Sequence, residues 1–343
     1  MKPLVIVGGG LAGLSLGIAL RREGVPVTIV EAGRYPRHRV CGEFVSGRGR
    51  EALRQLGLED KLRSLGATEA SSAAFYSRTA ASGVRALPQP ALCLSRALMD
   101  EGLAREFQAL GGSLIEGERW TGGFDPGVVR ATGRRTGNDA AGWRWFGLKS
   151  HVRGARMEAD VEIHLTDNGY VGLCRLDART ANVCGLFRSR STEPDLTRTW
   201  KSRLSGGEGS TLRRRLAGAE FLDETFTAVA ALSLRPQRAA NREECSIGDA
   251  ITMIAPLTGN GMSMAFESAQ LAVEPLARYS AGGIDWPETR SAVADSCDRA
   301  FRRRLFVSRW LQVGFFRPRV AAGLLWLGGR STFFWRQAFR LTR

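Results

Sequence analysis

The 343-residue sequence predicts an α/β protein in which a parallel-sheet domain is interrupted by an inserted, mainly antiparallel β-sheet domain and followed by a helical C-terminal segment. Three observations lead there. The first 31 residues alternate apolar runs with glycine turns as strand, turn, helix, strand, which is one βαβ unit and sets a parallel sheet. Between about residues 143 and 187, short β-rich runs are separated by turn signals such as Asp167-Asn168-Gly169, as in antiparallel strands. The last 45 residues hold eleven arginines, no Asp or Glu, and ten of the 28 aromatic residues. With 43% hydrophobic and 24% charged residues the chain can fill two cores, which excludes global disorder.

The elements follow in order. Leu4 to Val7 is an apolar run ending in Gly8, Gly9 and Gly10; Leu14, Leu16, Ile18, Ala19 and Leu20 continue as a helix that Gly24 stops; Val27 to Val30 is a second run ending in Glu31. Leu94 to Leu110 has helical spacing, with Ser95 as N-cap and Gly111-Gly112 as stop, and Ser113 to Glu116 returns to the same sheet. Trp143 to Val152, Val161 to Leu165, Tyr170 to Leu176 and Ala181 to Phe187 are the inserted strands, and Phe226 to Leu234 leads back. Cys245 to Ile247 and Gly261 to Leu276 close the first domain. The expected boundaries are 1-70, 90-135 and 235-298 for the first domain, 71-89 and 136-234 for the second, and 299-343 for the C-terminal segment. Pro318 and Gly328-Gly329 are expected to break that segment into two or three short helices.

Gly8, Gly10 and Gly13 make G-x-G-x-x-G: the tight turn, the close approach of a pyrophosphate and the helix–strand packing each require a missing side chain. The following helix N-terminus attracts the anion. Glu31, 21 residues beyond Gly10, can accept from a ribose diol and would repel a 2′-phosphate. Gly248-Asp249 and the loop Pro256-Leu257-Thr258-Gly259-Asn260-Gly261-Met262 form a second backbone nest before a helix. The two nests with Glu31 suit one extended adenine dinucleotide. The six cysteines form no CxxC pair and there are three histidines, so no metal site is expected and the thiols read as reduced.

These blocks, with Ser95-Arg96 and Thr132-Gly133-Arg134, resemble the flavoprotein group that includes geranylgeranyl reductases and aromatic-ring monooxygenases. The resemblance implies FAD, hence a discontinuous Rossmann-type FAD-binding domain with an inserted substrate domain. It also implies a cofactor-binding set of Gly8, Gly10, Leu11, Ala12, Gly13, Glu31, Ala32, Arg39, Arg96, Gly248, Asp249, Pro256, Gly259, Asn260, Gly261 and Met262. Tyr35-Pro36-Arg37-His38-Arg39-Val40-Cys41-Gly42 looks like the Pro-Arg-x-x-x-Cys-Gly segment of the reductase subgroup, which implies a loop beside the flavin with Cys41 toward the substrate. Thr132-Gly133 departs from the Asp-Gly of many hydroxylases, and the Trp-x-Trp-x-x-Pro segment of flavin halogenases is missing, so chlorination is not expected.

The leading expectation is an FAD-dependent oxidoreductase reducing or dehydrogenating an apolar unsaturated or quinoid molecule by hydride transfer. No second glycine fingerprint is present for a permanent NAD(P)H domain, and the resemblance then implies NAD(P)H as a transient donor or another protein that reduces the flavin. The alternatives are hydroxylation of an aromatic or polyketide-type substrate, and a non-catalytic electron relay. Cys41 and His151 are the catalytic candidates; Lys149 and His151 share one strand face by period two, as do Tyr170, Gly172 and Cys174, and His164 is a further proton-transfer candidate. No segment reaches the roughly 18 to 20 apolar residues of a spanning helix. The first 298 residues carry only +4 of the chain's +15. The apolar run from Leu4 ends in glycines and does not read as a secretory signal, so the expected location is cytoplasmic, peripheral on the inner face of the cytoplasmic membrane, with residues 299-343 on an anionic bilayer and no nucleic-acid partner. The oligomeric state is left open.

Overall fold

The computed structural model describes residues 1–134, 144–189 and 196–342. Its strands are β1 (Leu4–Val7), β2 (Val27–Glu31), β3 (Phe44–Val45), β4 (Thr68–Tyr76), β5 (Arg85–Cys93), β6 (Ser113–Glu116), β7 (Val128–Arg130), β8 (Arg144–Arg153), β9 (Val161–Thr166), β10 (Gly169–Arg175), β11 (Thr180–Ser189), β12 (Glu220–Leu232) and β13 (Cys245–Ser246). Its α-helices are α1 (Leu11–Arg22), α2 (Arg48–Gln55), α3 (Glu59–Ser64), α4 (Arg96–Ala109), α5 (Leu196–Ser205), α6 (Thr211–Arg215), α7 (Gly261–Ser280), α8 (Trp286–Phe315), α9 (Pro318–Arg330) and α10 (Thr332–Thr342).

The five-stranded sheet has the order β13-β7-β1-β2-β6 and is parallel throughout. Helices cover both faces of such a sheet, so its strands read as continuous apolar runs. Leu4, Ile6, Ile29 and Val129 are fully buried and join Leu14, Leu16 and Ile18 of α1, Phe107 of α4 and Phe266 of α7 in one core. Ser95 caps α4 as expected, its side chain accepting from Leu98 N–H. Trp143 lies outside the described residues; the expected inserted strands form with ends shifted by a residue or two, whereas β12 begins at Glu220, six residues before the expected Phe226.

The eight-stranded sheet has the order β12-β8-β11-β10-β9-β4-β5-β3 and is antiparallel except for the β4–β9 pair. Alternation sorts its side chains. Phe146, Leu148, Val171, Leu173 and Val183 turn to one face and pack with Trp200 and Leu204 of α5 and Leu212 of α6. The opposite face receives Gly147, Lys149 and His151 from β8, Tyr170, Gly172 and Cys174 from β10, and Asn182, Cys184 and Leu186 from β11.

The C-terminal helices close over part of that second face. Phe315 stacks on Phe75 at 6.1 Å, Phe316 meets Trp145 edge-on at 5.4 Å, and Trp335 Nε1 donates to the Ala86 carbonyl at 2.9 Å. Arg304 of α8 forms a buried bidentate pair with Glu267 of α7, at 2.6 Å on each oxygen. Two details differ from the sequence reading. Helix α8 begins at Trp286, after the Asp285 N-cap, and runs unbroken for 30 residues. Helix α9 passes through Gly328-Gly329 to Arg330, and Gly329 serves close packing: a Cβ there would stand 2.9 Å from the Ser82 carbonyl oxygen. Pro318 does mark a break, opening α9 at its first turn.

Candidate active site

A cavity of about 640 Å³ lies between the C-terminal ends of the parallel strands and the second face of the antiparallel sheet, where α/β folds of this kind take ligands. Its wall contains Gly8, Gly10, Leu11 and Ala12 at the start of α1, Glu31 and Ala32 after β2, Arg39, Cys41 and Arg96, and Asp249, Pro256, Gly259, Gly261 and Met262 on the far side. Thr132, Gly133 and Arg134 complete that side, and Tyr170, Gly172, Cys174 and Cys184 come from the antiparallel sheet.

Backbone geometry explains the glycines. Gly8 has φ +112°, and a Cβ there would strike the Ala131 carbonyl; a Cβ at Gly13 would strike the Gly8 carbonyl. These two make the turn and the packing. At Gly10 and Gly261 an added Cβ would meet nothing within 4 Å, so the backbone there stands open to the cavity. Gly10 and Asn260 are the N-caps of α1 and α7, and neither makes a side-chain cap bond. Two helix N-termini, with uncapped N–H groups and positive dipole ends, therefore open on one cavity, an arrangement that suits a ligand with a diphosphate and a second electron-rich group.

Glu31 accepts from Gly9 N–H at 2.7 Å and Gly33 N–H at 2.8 Å and pairs with Arg37 at 2.7 Å and Arg39 at 3.6 Å. Burial alone would raise its carboxyl; the Gly33 N–H, Arg37 and Arg39 outweigh burial and hold it below the usual range. Arg39 also reaches Asp100 at 3.3 Å, and Arg96 forks onto Asp100 with two bonds of 2.9 Å while facing the Cys41 sulfur. Asp249 faces the cavity with its carboxyl pushed up by burial, opposed by Arg134 and Arg96.

Four predicted residues stand outside the cavity wall: Gly13, Gly248, Asn260 and His151. Gly248 donates its N–H to Ser268 Oγ at 2.9 Å, and the buried Asn260 side chain donates to the Thr342 carbonyl, tying α7 to the chain's last helix. His151 joins a charged cluster directly behind Cys41-Gly42. Its Nε2 lies 2.6 Å from Glu43 Oε2, Arg96 N–H donates to Glu43 Oε1 at 2.8 Å, and Lys149 Nζ lies 3.5 Å from the same oxygen and 3.0 Å from His38 Nδ1. Asn182 Nδ2 fixes the Cys41 carbonyl at 2.8 Å.

Glu43 and Lys149 have no side-chain exposure. Burial would raise the Glu43 carboxyl, but His151, Lys149 and the Arg96 N–H overcome it and hold the carboxyl low. Burial lowers Lys149 despite Glu43, and burial, Lys149 and His151 push His38 down to about 4. Glu43 itself sits at φ +61°, a left-handed conformation that costs a non-glycine residue about 1 kcal/mol. The ligand atoms of His38, Glu43 and His151 lie within 4.8 Å of one another, but the Lys149 ammonium already supplies the cation there. His164 belongs to a separate buried group, with Nε2 2.9 Å from Glu162 and its ring stacked on Tyr76.

A glycine-turn βαβ unit, an acid ending its second strand and a second uncapped helix facing the same cavity define a dinucleotide-binding fold. In sequence, residues 1–171 match the family described as FAD binding domain, and through that half the chain belongs to the FAD-dependent oxidoreductases. The chain is 44% identical to squalene epoxidase 4 of Arabidopsis thaliana over 73 residues, 21% of this chain but only 14% of that protein's length. The flavin-dependent brominase Bmp2 superposes with a TM-score of 0.76 at 17% identity, covering 99% of this chain and 92% of that one. A geranylgeranyl bacteriochlorophyll reductase-like protein of Thermoplasma acidophilum superposes with a TM-score of 0.75 at 15% identity, covering 100% and 96%. At these identities the two superpositions establish the shared fold.

Proposed function

We propose that the chain holds one FAD along the cavity and transfers a hydride between it and an apolar unsaturated or quinoid small molecule, as a geranylgeranyl-reductase-like enzyme with NAD(P)H as transient donor. The observation that carries this reading is a second cavity of about 140 Å³ that adjoins the first at Phe44 and Ile163, which line both. Ala73, Phe75, Leu87, Val161, Leu257, Leu311, Phe315, Leu325, Trp335 and Phe339 wall it, and none of its lining residues is ionisable. A charged substrate group would be desolvated there without a partner, whereas a hydrocarbon group gains from burial.

Bound FAD would supply the two-electron chemistry. In this reading the α1 N-terminus would hold the diphosphate, Glu31 would accept from the adenosine ribose, and Asp249 would hold the ribityl-diphosphate region. The Gly259 to Met262 backbone would hold the isoalloxazine and offer it partial positive charge. Cys41 is the catalytic candidate on the wall. His151 acts through Glu43 as a positioning residue, because the Glu43 carboxylate fixes the turn that presents Cys41.

A second reading, oxygen-dependent oxygenation of an aromatic or polyketide-type substrate, is favoured by the 73-residue match to a squalene epoxidase. The test is anaerobic reoxidation of the reduced holoprotein by the apolar molecule that co-purifies with it, identified by mass spectrometry. Flavin reoxidation with a reduced product in the absence of oxygen supports hydride transfer; product formed only with stoichiometric oxygen consumption overturns it in favour of oxygenation. Failure with small molecules and fast exchange with a redox protein would identify an electron relay.

A further inference from the structure

We propose that the outward face of α8, α9 and α10 is a docking surface for an anionic lipid bilayer. The inward faces of these helices are committed to the fold: Phe301, Arg304, Ser308 and Gln312 of α8 and Ala321, Leu325 and Gly328 of α9 are buried. The outward faces show an unusual pairing of groups. Seven of the eleven large hydrophobic side chains exposed among the described residues fall between Phe306 and Phe333. They include Phe306 at 64%, Trp310 at 62%, Trp326 at 55% and Phe333 at 74% exposure.

Their spacing makes stripes. On α8, Arg302, Phe306, Arg309, Trp310 and Val313 follow one helical face; on α9, Arg319, Val320, Trp326, Leu327 and Arg330 do the same, and all ten are exposed. Phe333 and Arg336 continue the pattern on α10. The Arg330 guanidinium lies over the Trp326 ring at 4.7 Å, and Phe306 meets Trp310 at 6.1 Å. No Asp or Glu occurs in the last 45 residues to neutralise this charge.

Charge complementarity selects the occupant. Arginine attracts phosphate-bearing headgroups, and interleaved Trp, Phe and aliphatic side chains enter the headgroup and acyl boundary. A nucleic acid would use the arginines and leave Val313, Val320 and Leu327 without a role. Among the described residues no helix is long and apolar enough to cross a membrane, so the helices lie on the surface. The same three helices wall the apolar cavity with Leu311, Phe315, Leu325 and Trp335, so a bilayer-dissolved molecule would meet the docking surface and the cavity on opposite sides of one helical layer.

The test is co-sedimentation of the full-length, FAD-loaded protein with vesicles of phosphatidylcholine alone and of an equal mixture with phosphatidylglycerol, at low and high salt. The expected result is binding to the mixed vesicles that weakens with salt yet persists. Each of Arg302→Ser, Arg309→Ser and Arg319→Ser is expected to weaken it about fivefold at low salt. Combined Trp310→Ser, Trp326→Ser and Phe333→Ser should abolish the salt-resistant part while leaving flavin absorbance and the thermal midpoint unchanged, since these side chains support no core. Should that triple variant fail to fold, quenching of tryptophan fluorescence in the unmodified protein by brominated lipid in the mixed vesicles reads the same insertion. The proposal is overturned by equal indifference to both vesicle types, by binding that the folded triple variant retains at high salt, or by absence of quenching. Preferential capture of duplex DNA or single-stranded RNA without vesicle binding would also overturn it, as would an arginine-independent dimer that buries the aromatic residues.

Discussion

Replacing Glu43 with glutamine tests whether the cluster behind Cys41 acts as one unit. The carboxylate is wholly buried and serves His151, Lys149 and the Arg96 N–H together. Removing one partner of a buried ion pair costs about 3–5 kcal/mol, because the other charge is left without compensation. Two features reduce that here. The glutamine carbonyl still accepts from the Arg96 N–H, which retains about 1 kcal/mol. Lys149, already lowered by burial, can lose its proton and so limit the penalty of an unpaired charge. The expected net loss is about 2–3 kcal/mol, or a thermal midpoint lower by about 3–4 °C. Urea denaturation of the holoprotein, followed by tryptophan and flavin fluorescence, measures it. The double variant Glu43→Gln with Lys149→Met removes the stranded cation and should recover at least about 1 kcal/mol of the loss. A Glu43→Gln protein within about 0.5 kcal/mol of the parent, or single-site losses that simply add, would refute the coupled cluster.

Three further outcomes are expected. His38 has its imidazolium pushed from the ordinary 6.5 to about 4, so the unfolded chain binds a proton that the folded chain does not. Stability should therefore be complete above about pH 6.5 and fall by about 1–2 kcal/mol, solvent screening included, as pH drops toward 4; His38→Gln should flatten that slope in pH-dependent denaturation, and an unchanged slope contradicts the assignment. Gly10→Ala should weaken FAD binding by more than about tenfold with little change in apoprotein stability, because its methyl enters open cavity, whereas Gly13→Ala should destabilise the apoprotein by about 2 kcal/mol through collision with the Gly8 carbonyl. Equilibrium FAD titration and thermal melting separate the two, and identical effects from both would remove the distinction. Glu31→Ala should raise the FAD dissociation constant while Cys41→Ala mainly lowers turnover at saturating FAD; unchanged steady-state rates for Cys41→Ala would leave that residue without a role in the reaction.

The parts of the molecule read correctly in advance are those with local rules. Leu4 to Glu31 announced a βαβ unit because buried parallel strands are apolar throughout and the turn needs glycine. Period two placed Lys149 and His151 on one strand face, and both do reach Glu43. Glu43 escaped notice because it lies in a loop with no periodicity, and its burial depends on β8 and α4, which are distant in sequence. Gly147 and Gly172 were available signals: glycine inside a strand marks a close approach, and a Cβ at Gly147 would stand 2.6 Å from Val40. In the C-terminal region, charge segregation starts at Arg299, but Val293, Ala294, Cys297, Phe301 and Arg304 carry one buried helical stripe across that position. Composition and helix periodicity report different things there.

The central claim is that two helix N-termini and Glu31 together hold one extended flavin dinucleotide. Titrating the apoprotein with FAD and with FMN tests it most directly, with chromatography of the pigment released on denaturation as the check on identity. One FAD per chain is expected, with FMN weaker by about a hundredfold, since losing the adenylate forfeits two or three hydrogen bonds of about 1 kcal/mol each. FMN binding as tightly as FAD, or a colourless protein that FAD does not reconstitute, would contradict the account.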